Sequence, residues 1–297
     1  MSLTINNNLM AMNAARNLGN AYGDLATSVQ RLSSGLRVNS AADDAAGLAI
    51  RELMRSDIAA LNQGVRNAND AISLIQTADG ALGVIDEKLI RMKELAEQAA
   101  TGTYNSDQRL MIESEYQAMA SEITRIANST KFNGVYLLNG ALSGDTHDGT
   151  GLKSTGKLKV HFGPTNDCSE DYYYIQIGTS TASALGLGNQ GVSTRAGYAI
   201  STQSAAQHAL VAIENAIISK DKIRAKLGAL QNRLENTISN LQIQAENISS
   251  AESRISDVDV STEMTQFVRS QILTQSAVAM LSQANSLPQM AMQLIGG

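Results

Sequence analysis

The stretch ALVAIENAIISKDKIRAKLGALQNRLENTISNLQIQAENISSAESRI, residues 209–255, decides the fold. Ala209, Ile213, Ala216, Lys220, Ile223, Leu227, Leu230, Leu234, Thr237, Leu241, Gln244, Ile248, Ala251 and Ile255 follow one another at alternating spacings of three and four. That spacing, apolar at most positions, is the narrow stripe of a coiled-coil helix and not the two-residue alternation of a strand. Proline inside a helix removes a hydrogen bond and clashes with the preceding turn. The chain has only 2, Pro164 and Pro288, so very long helices are permitted.

The same spacing recurs towards the N-terminus. Leu18, Tyr22, Leu25, Val29, Leu32 and Leu36 form one seam, and Ser33-Ser34-Gly35 offers a stop, because Gly tolerates the left-handed cap conformation. Ser40 with Asp43 has capping-box spacing, so a second helix is expected to start there. Ile58, Leu61, Val65, Ala68, Ile72 and Ile75 carry its seam, which resumes at Leu82, Ile85, Leu89, Met92 and Ala96. A helix over residues 42–99 would measure roughly 85 Å, with a bend or stutter expected at Gly80 and Gly83. A third helix fits residues 106–129, with Leu110, Ile112, Met119, Ile123 and Ile126 apolar. A last one is expected from Ser261 to Asn285, after a break at Ser256-Asp257.

Residues 133–198 differ, holding about half of the 23 glycines and the single Cys. Lys157-Leu158-Lys159-Val160-His161-Phe162 alternates strictly, as do Tyr173, Ile175 and Ile177 after the polar run Pro164 to Asp171, which predicts a β-hairpin with one wet face. The fold class is therefore mainly α, with long antiparallel helices forming coiled coils and a small β-hairpin insert. Its segments are an N-terminal helix and connector (1–40), two halves of a helical rod (41–132 and 201–256), the insert (133–200) and a C-terminal helix (257–297).

Composition narrows the function. Hydrophobic residues are 43% of the chain but include only 3 Phe, 8 Tyr and no Trp, so cores must be built from Ala, Leu, Ile, Val and Met. The net charge of −5 provides no general basic footprint for nucleic acid or anionic lipid. One cysteine, Cys168, excludes an intrachain disulfide and a multi-cysteine zinc site. No run of about 18 apolar residues could span a bilayer. Met1 to Asn8 has neither a basic nor an apolar region of a cleaved signal, so any export is expected to proceed without one.

The ends carry the most informative pattern. From Ser270 to Gly297, and from Met1 to Ala15, no side chain is Asp, Glu, Lys or Arg. Surface helices normally keep charge on the outer face. Here apolar residues (Leu9, Met12, Leu18, Tyr22, Leu25, Val29 and Leu32 at one end; Met264, Phe267, Ile272, Leu273, Val278 and Leu281 at the other) stand among uncharged Asn, Gln, Ser and Thr. Such surfaces can be desolvated without burying an unpaired ion, which would cost several kcal/mol. Both ends are expected to be buried against other subunits, not against the chain's own core, and to order on assembly. A membrane-surface helix would carry Lys or Arg on its polar face, and these do not.

The run Ser28 to Gly47 (SVQRLSSGLRVNSAADDAAG) closely resembles the N-terminal signature of bacterial flagellins, as do Arg66 to Ser73 and Gly80-Ala81-Leu82. Ser253 to Asp259 and Gln283 to Gln289 are similar to the family's C-terminal pattern, and Lys131-Phe132-Asn133-Gly134 to the turn after its third helix. The resemblance covers roughly residues 1–140 and 200–297. It implies an exported structural subunit that polymerises into the extracellular filament of a motile bacterium, with outer domains absent or minimal. It also implies the flagellar type III export apparatus, an export chaperone and a filament cap as partners. The alternatives are a hook–filament junction protein of similar build and a type III-secreted membrane translocator.

Enzyme signals are weak, so no enzyme, cofactor or metal is expected. His147, His161 and His208 are far apart, and no HExxH, GxSxG or P-loop spacing occurs. Asp145-Thr146-His147-Asp148 lacks the spacing of an EF-hand, and carboxylates beside Cys168 disfavour its thiolate. One segment, Arg91-Met92-Lys93-Glu94-Leu95-Ala96-Glu97-Gln98, resembles the flagellin stretch recognised by the vertebrate Toll-like receptor 5. The resemblance assigns Glu115 as its partner on the next helix. Arg91, Glu94, Leu95 and Gln98 are expected to share a face. Ile90, Met92, Lys93 and Glu97 depart from the family pattern.

Overall fold

The structure, a computed structural model, describes residues 8–148, 155–167, 170–188 and 199–295. Within them run α1 Leu9–Ser34, α2 Ala45–Ala100, α3 Ser106–Ser129, α4 Gln203–Ser256 and α5 Val260–Ile295. Between α3 and α4 lie β1 Lys131–Phe132, β2 Val135–Tyr136, β3 His147–Asp148, β4 Thr155–Gly156, β5 Leu158–His161 and β6 Tyr172–Ile175, paired antiparallel as three two-stranded ribbons. The chain divides into two compact units, residues 1–58 with 246–297, and residues 59–245.

In the second unit the seam of α2 is unbroken. Leu61, Ala68, Ala71, Ile75, Ala78, Leu82, Ile85, Leu89, Met92, Ala96 and Ala99 are all buried. The helix Ala45–Ala100 runs without interruption through Gly80 and Gly83. Ala71 and Gly64 take the inward positions that the spacing assigned to Ile72 and Val65, which lie one residue outside it. A small side chain facing inward lets a neighbour approach closely. On α4, Ala209, Ile213, Ala216, Lys220, Leu227, Leu234 and Leu241 are buried as the heptad spacing predicts. Each fully buried Leu or Ile contributes about 1.5–3 kcal/mol relative to exposure.

Helix α3 starts at a capping box in which Asn105 Oδ1 accepts from the Gln108 amide at 2.8 Å and the Asn105 amide donates to Gln108 Oε1 at 3.1 Å. Arg109 closes the α2–α3 turn by donating to Ala99 O and Thr101 O, each at 3.0 Å. Tyr116 is fully buried on α3, and burial pushes its phenol pKa up. Leu110, expected inside, is exposed.

Lys220 is 1% exposed, and its ammonium donates to Asp86 of α2 and lies 2.8 Å from Asp221. One turn on, Arg224 donates to both carboxylate oxygens of Asp79 at 2.7 and 3.1 Å. Breaking a buried pair by removing one partner costs far more than the pair contributes, so the ladder penalises helix registers that separate Lys220 from Asp86.

The insert rests on α2 and α4. β5 pairs β6 with Leu158 opposite Ile175 and His161 opposite Tyr172, as the alternation predicts. Tyr173 meets Phe162 edge-on at 4.7 Å and takes the Arg233 guanidinium over its ring at 3.6 Å. Asn133 (φ 46°) and Gly134 (φ 78°) make the β1–β2 turn, whose positive φ values suit Asn-Gly. Cys168 lies outside the described residues. Asn67 of α2 donates to His161 O at 2.8 Å, beside Gly64. A Cβ on Gly64 would stand 2.0 Å from Phe162 O, a backbone atom with no freedom to move alone. Gly64→Ala is therefore expected to destabilise the fold by about 1–3 kcal/mol, the usual cost of overpacking. Chemical denaturation of the two proteins measures it, and equal midpoints would refute the contact.

Candidate functional site

The first unit brings the two ends of the chain together. Helices α1 and α5 run antiparallel: Asn8 reaches Ala284 at one end, Arg31 lies 3.7 Å from Glu263, and Leu36 bridges Asp257 at the other. Contrary to the sequence expectation, these ends therefore pack on each other within one chain. The physical reason is complementary size, because the facing residues Ala21, Ser28, Ser270, Thr274 and Ala284 are small enough for close approach and are buried.

Helix α1 ends where expected, with Gly35 at φ 74° donating to Arg31 O at 2.9 Å. The connector is tied to α4 by Arg37, whose amide donates to Ser256 O at 2.7 Å and whose guanidinium donates to Ile255 O at 2.8 Å. Ser40 does not cap α2. Asp43 Oδ2 turns back on the Ser40 amide at 2.9 Å, and Asp44 caps the helix by accepting from the Gly47 amide at 2.9 Å. Shifting the cap to Asp44 places a carboxylate at the positive end of the helix dipole.

Helix α5 extends through Pro288 to Ile295, past the predicted end at Asn285. A proline has no N–H, so the Ala284 carbonyl one turn earlier loses its helical donor. Asn8 supplies one: its Nδ2 donates to Ala284 O at 2.8 Å, while its Oδ1 caps α1 by accepting from the Ala11 amide at 3.1 Å. One asparagine thus satisfies a group on each helix.

The predicted interface residues separate into two sets. Leu18, Leu25, Leu32, Phe267 and Leu281 lie half-buried along the α1–α5 seam. Leu9, Met12, Tyr22, Val29, Met264, Ile272, Leu273 and Val278 are exposed, Met12 by 62% and Ile272 by 56%. On α5 the arrangement is inverted relative to an ordinary surface helix. Ser, Thr and Ala face the partner helix, and Met264, Val268, Ile272, Leu273, Val278 and Met280 face outward. These apolar side chains share the exposed surface of α5 with Gln and Ser, and α1 covers only one side of the helix.

In the second unit, Arg91 of α2 donates through Nε and an Nη to Glu115 of α3 at 2.9 and 2.8 Å, and through the other Nη to Glu94 at 2.9 Å. Glu115 first and Glu94 second raise its pKa further. Gln98 donates to Tyr104 Oη at 3.0 Å. Leu95 does not join this surface: it is 1% exposed and belongs to the seam, as does Met92. The pairs are exposed, so each contributes little to stability, about 0–1 kcal/mol. Among the described residues no group of three or more His, Cys, Asp or Glu could hold a metal. His147 is tied to Lys157 O at 2.7 Å, and His161 stacks on Tyr172. No described helix is long and apolar enough to cross a membrane.

Comparison with known proteins supplies the context. Residues 5–143 match the bacterial flagellin N-terminal helical region, and residues 210–295 the bacterial flagellin C-terminal helical region. The chain is 41% identical over 293 residues to the flagellar filament 33 kDa core protein of Treponema phagedenis, covering 99% of this chain and 100% of that one. It is 40% identical over 306 residues to a flagellin of Bacillus subtilis, covering 99% and 100%. A Vibrio parahaemolyticus structure named for a flagellar hook-associated protein superposes with a TM-score of 0.54 at 14% identity, over 72% of this chain and 100% of that one, a likeness of fold alone.

The α5 cap is a carboxylate held by a hydroxyl and two backbone amides. Asp259 accepts from Thr262 Oγ1 at 2.8 Å and from the Ser261 and Thr262 amides at 2.9 and 3.3 Å. These bonds, the Thr262 hydroxyl first, hold its pKa below the usual carboxylate value. A depressed folded pKa stabilises above the unfolded value of about 3.9, and that contribution is lost as pH falls through the lowered one. Asp259→Asn keeps a good cap without the charge. In thermal melts from pH 7 downward, the native chain's advantage over this variant is expected to shrink as the carboxylate protonates; a constant difference would refute the cap's role.

Proposed function

The chain belongs to the bacterial flagellins and is a structural subunit of the flagellar filament, and from that premise we propose that the exposed sides of α1 and α5 are the surfaces through which subunits polymerise. The observation that carries this reading is the inverted α5, with Ile272, Leu273, Val278 and Met280 in water and Ser270 and Thr274 inside. Burying those side chains between subunits removes apolar surface from water at about 25 cal/mol per Å². Beyond Arg269, α5 itself contributes no charged side chain to such a contact. A contact of one face with a different face, repeated without closing, builds an open helical polymer. The filament lies outside the cell, and export through the flagellar type III apparatus, with a chaperone holding the C-terminal helix and a cap at the growing end, accords with the family.

A second role concerns the monomer. The Arg91, Glu94 and Glu115 cluster is exposed and pre-organised by three hydrogen bonds, which suits recognition by Toll-like receptor 5. Arg91 Nε and one Nη converge on Glu115 Oε1, which fixes the plane of the guanidinium.

Two experiments test these readings. Removing residues 270–297 is expected to leave a soluble monomer, with the second unit folded, that does not polymerise; filaments from the truncated chain under electron microscopy would overturn the assembly reading. Arg91→Ala in the monomer is expected to weaken receptor activation at least tenfold in a reporter assay without lowering the melting temperature by more than a few degrees. Unchanged activation would remove the receptor role.

A further inference from the structure

Methionine is unevenly placed in this chain. Met10 and Met12 of α1 and Met264, Met280 and Met290 of α5 are between 44% and 68% exposed. Among the described residues, the layer buried between the two helices contains no methionine: it consists of Ala21, Ser28, Ser270, Thr274 and Ala284. Elsewhere Met92 is fully buried in the α2 seam, Met54 and Met119 are half-buried, and Met111 is exposed. The thioethers of the terminal pair therefore stand on its outer surface, and its internal packing is left to other side chains.

Exposure matters for methionine because its sulfur reacts. Hydrogen peroxide converts the side chain to its sulfoxide: an S–O bond forms, the O–O bond breaks, and water leaves. The sulfur loses two electrons and the peroxide gains them. A thiol-dependent methionine sulfoxide reductase reverses the change, with the oxygen leaving as water while two thiols close to a disulfide. The reaction needs access of the oxidant to sulfur, which the five exposed thioethers give and Met92 denies. The product is polar where the thioether was apolar, and burying it without a hydrogen-bond donor is unfavourable.

We propose that Met10, Met12, Met264, Met280 and Met290 form a reversible modification site at which peroxides hold the free subunit back from polymerisation. The proposal rests on the assembly reading of the terminal helices and adds a chemical control to it. Oxidation here spares the α1–α5 pairing, since the buried layer has no sulfur to oxidise. It spares the second unit as well, since Met92 is covered. What changes is the surface presented to a neighbouring copy. Leucine fills nearly the same volume and is as apolar, so methionine differs from it at these positions in its flexibility and its reactivity. A neighbour that covers the thioethers also shields them, so the chain is sensitive before assembly and resistant after it.

The test uses soluble full-length chain in a Cys168→Ser background, so that methionine is the only sulfur. It is treated with hydrogen peroxide, freed of oxidant and offered to preformed filament seeds, while peptide mass spectrometry reads the oxygen gained at each methionine. The five sites are expected to oxidise at least about tenfold faster than Met92, and elongation to slow by about tenfold or more, with the helical circular dichroism unchanged. Reduction by methionine sulfoxide reductase with dithiothreitol is expected to restore the rate. A chain with Leu at all five positions is expected to elongate seeds equally before and after peroxide. Normal elongation by a chain carrying sulfoxide at the five sites would overturn the proposal, as would loss of elongation by the peroxide-treated Leu chain. The reductase arm needs no change at these positions: a rate that stays low after full reduction overturns the proposal whatever the Leu chain does. Peroxide applied to finished filaments separates the two readings. If the five sites oxidise there as fast as in the free chain, the assembly reading fails and the proposal with it; if they are protected there but their oxidation in the free chain leaves elongation unchanged, only the proposal fails.

Discussion

A helix that buries Ser270, Thr274 and Ala284 while leaving Met264, Val268, Ile272, Leu273, Val278 and Met280 exposed is marginal alone in water. That constraint governs the first unit. Helix α5 gains partial cover from α1, and the pairing works because the inward residues are small: Ala21 and Ser28 on one helix meet Ser270 and Thr274 on the other. Small residues permit close approach of the two helices and leave the larger apolar side chains of α5 exposed. Asn8, which caps α1 and satisfies the carbonyl freed by Pro288, shows how closely the two ends depend on each other.

The second unit solves a different problem. Its seams are conventional, with Leu, Ile and Met inward, and its polar groups serve mainly to select among registers. Lys220 and Arg224 can each find a carboxylate on α2 only in a limited set of alignments. Gly64 admits the backbone of Phe162. These devices hold the insert and the Arg91 surface in fixed positions without adding much net stability.

Legibility varied with the physics of each element. The heptad spacing found every long helix, because burial along a stripe leaves a period that a single sequence can show. It erred by one residue at Val65 and Ile72, where Gly64 and Ala71 face inward. Periodicity weights large apolar residues, and close helix contacts favour small ones. The same bias assigned Tyr22 and Val29 to the seam, beside the Ala21 and Ser28 that occupy it. Ser40 looked like a cap from spacing alone, but the Asp43 carboxylate was taken by a local turn. Leu95 shared a helical repeat with Arg91, although its side chain points into the core.

What the sequence determined by itself was the class of solution: helices too long for a globule, ends without ions, and an insert too short for further domains. Those follow from period and composition, which are properties of the chain read in order. Only the tertiary structure decided which stripe of each terminal helix is already covered and which is left open. That choice depends on how closely two backbones can approach, a distance set by side-chain volumes on both helices together and therefore invisible along either one.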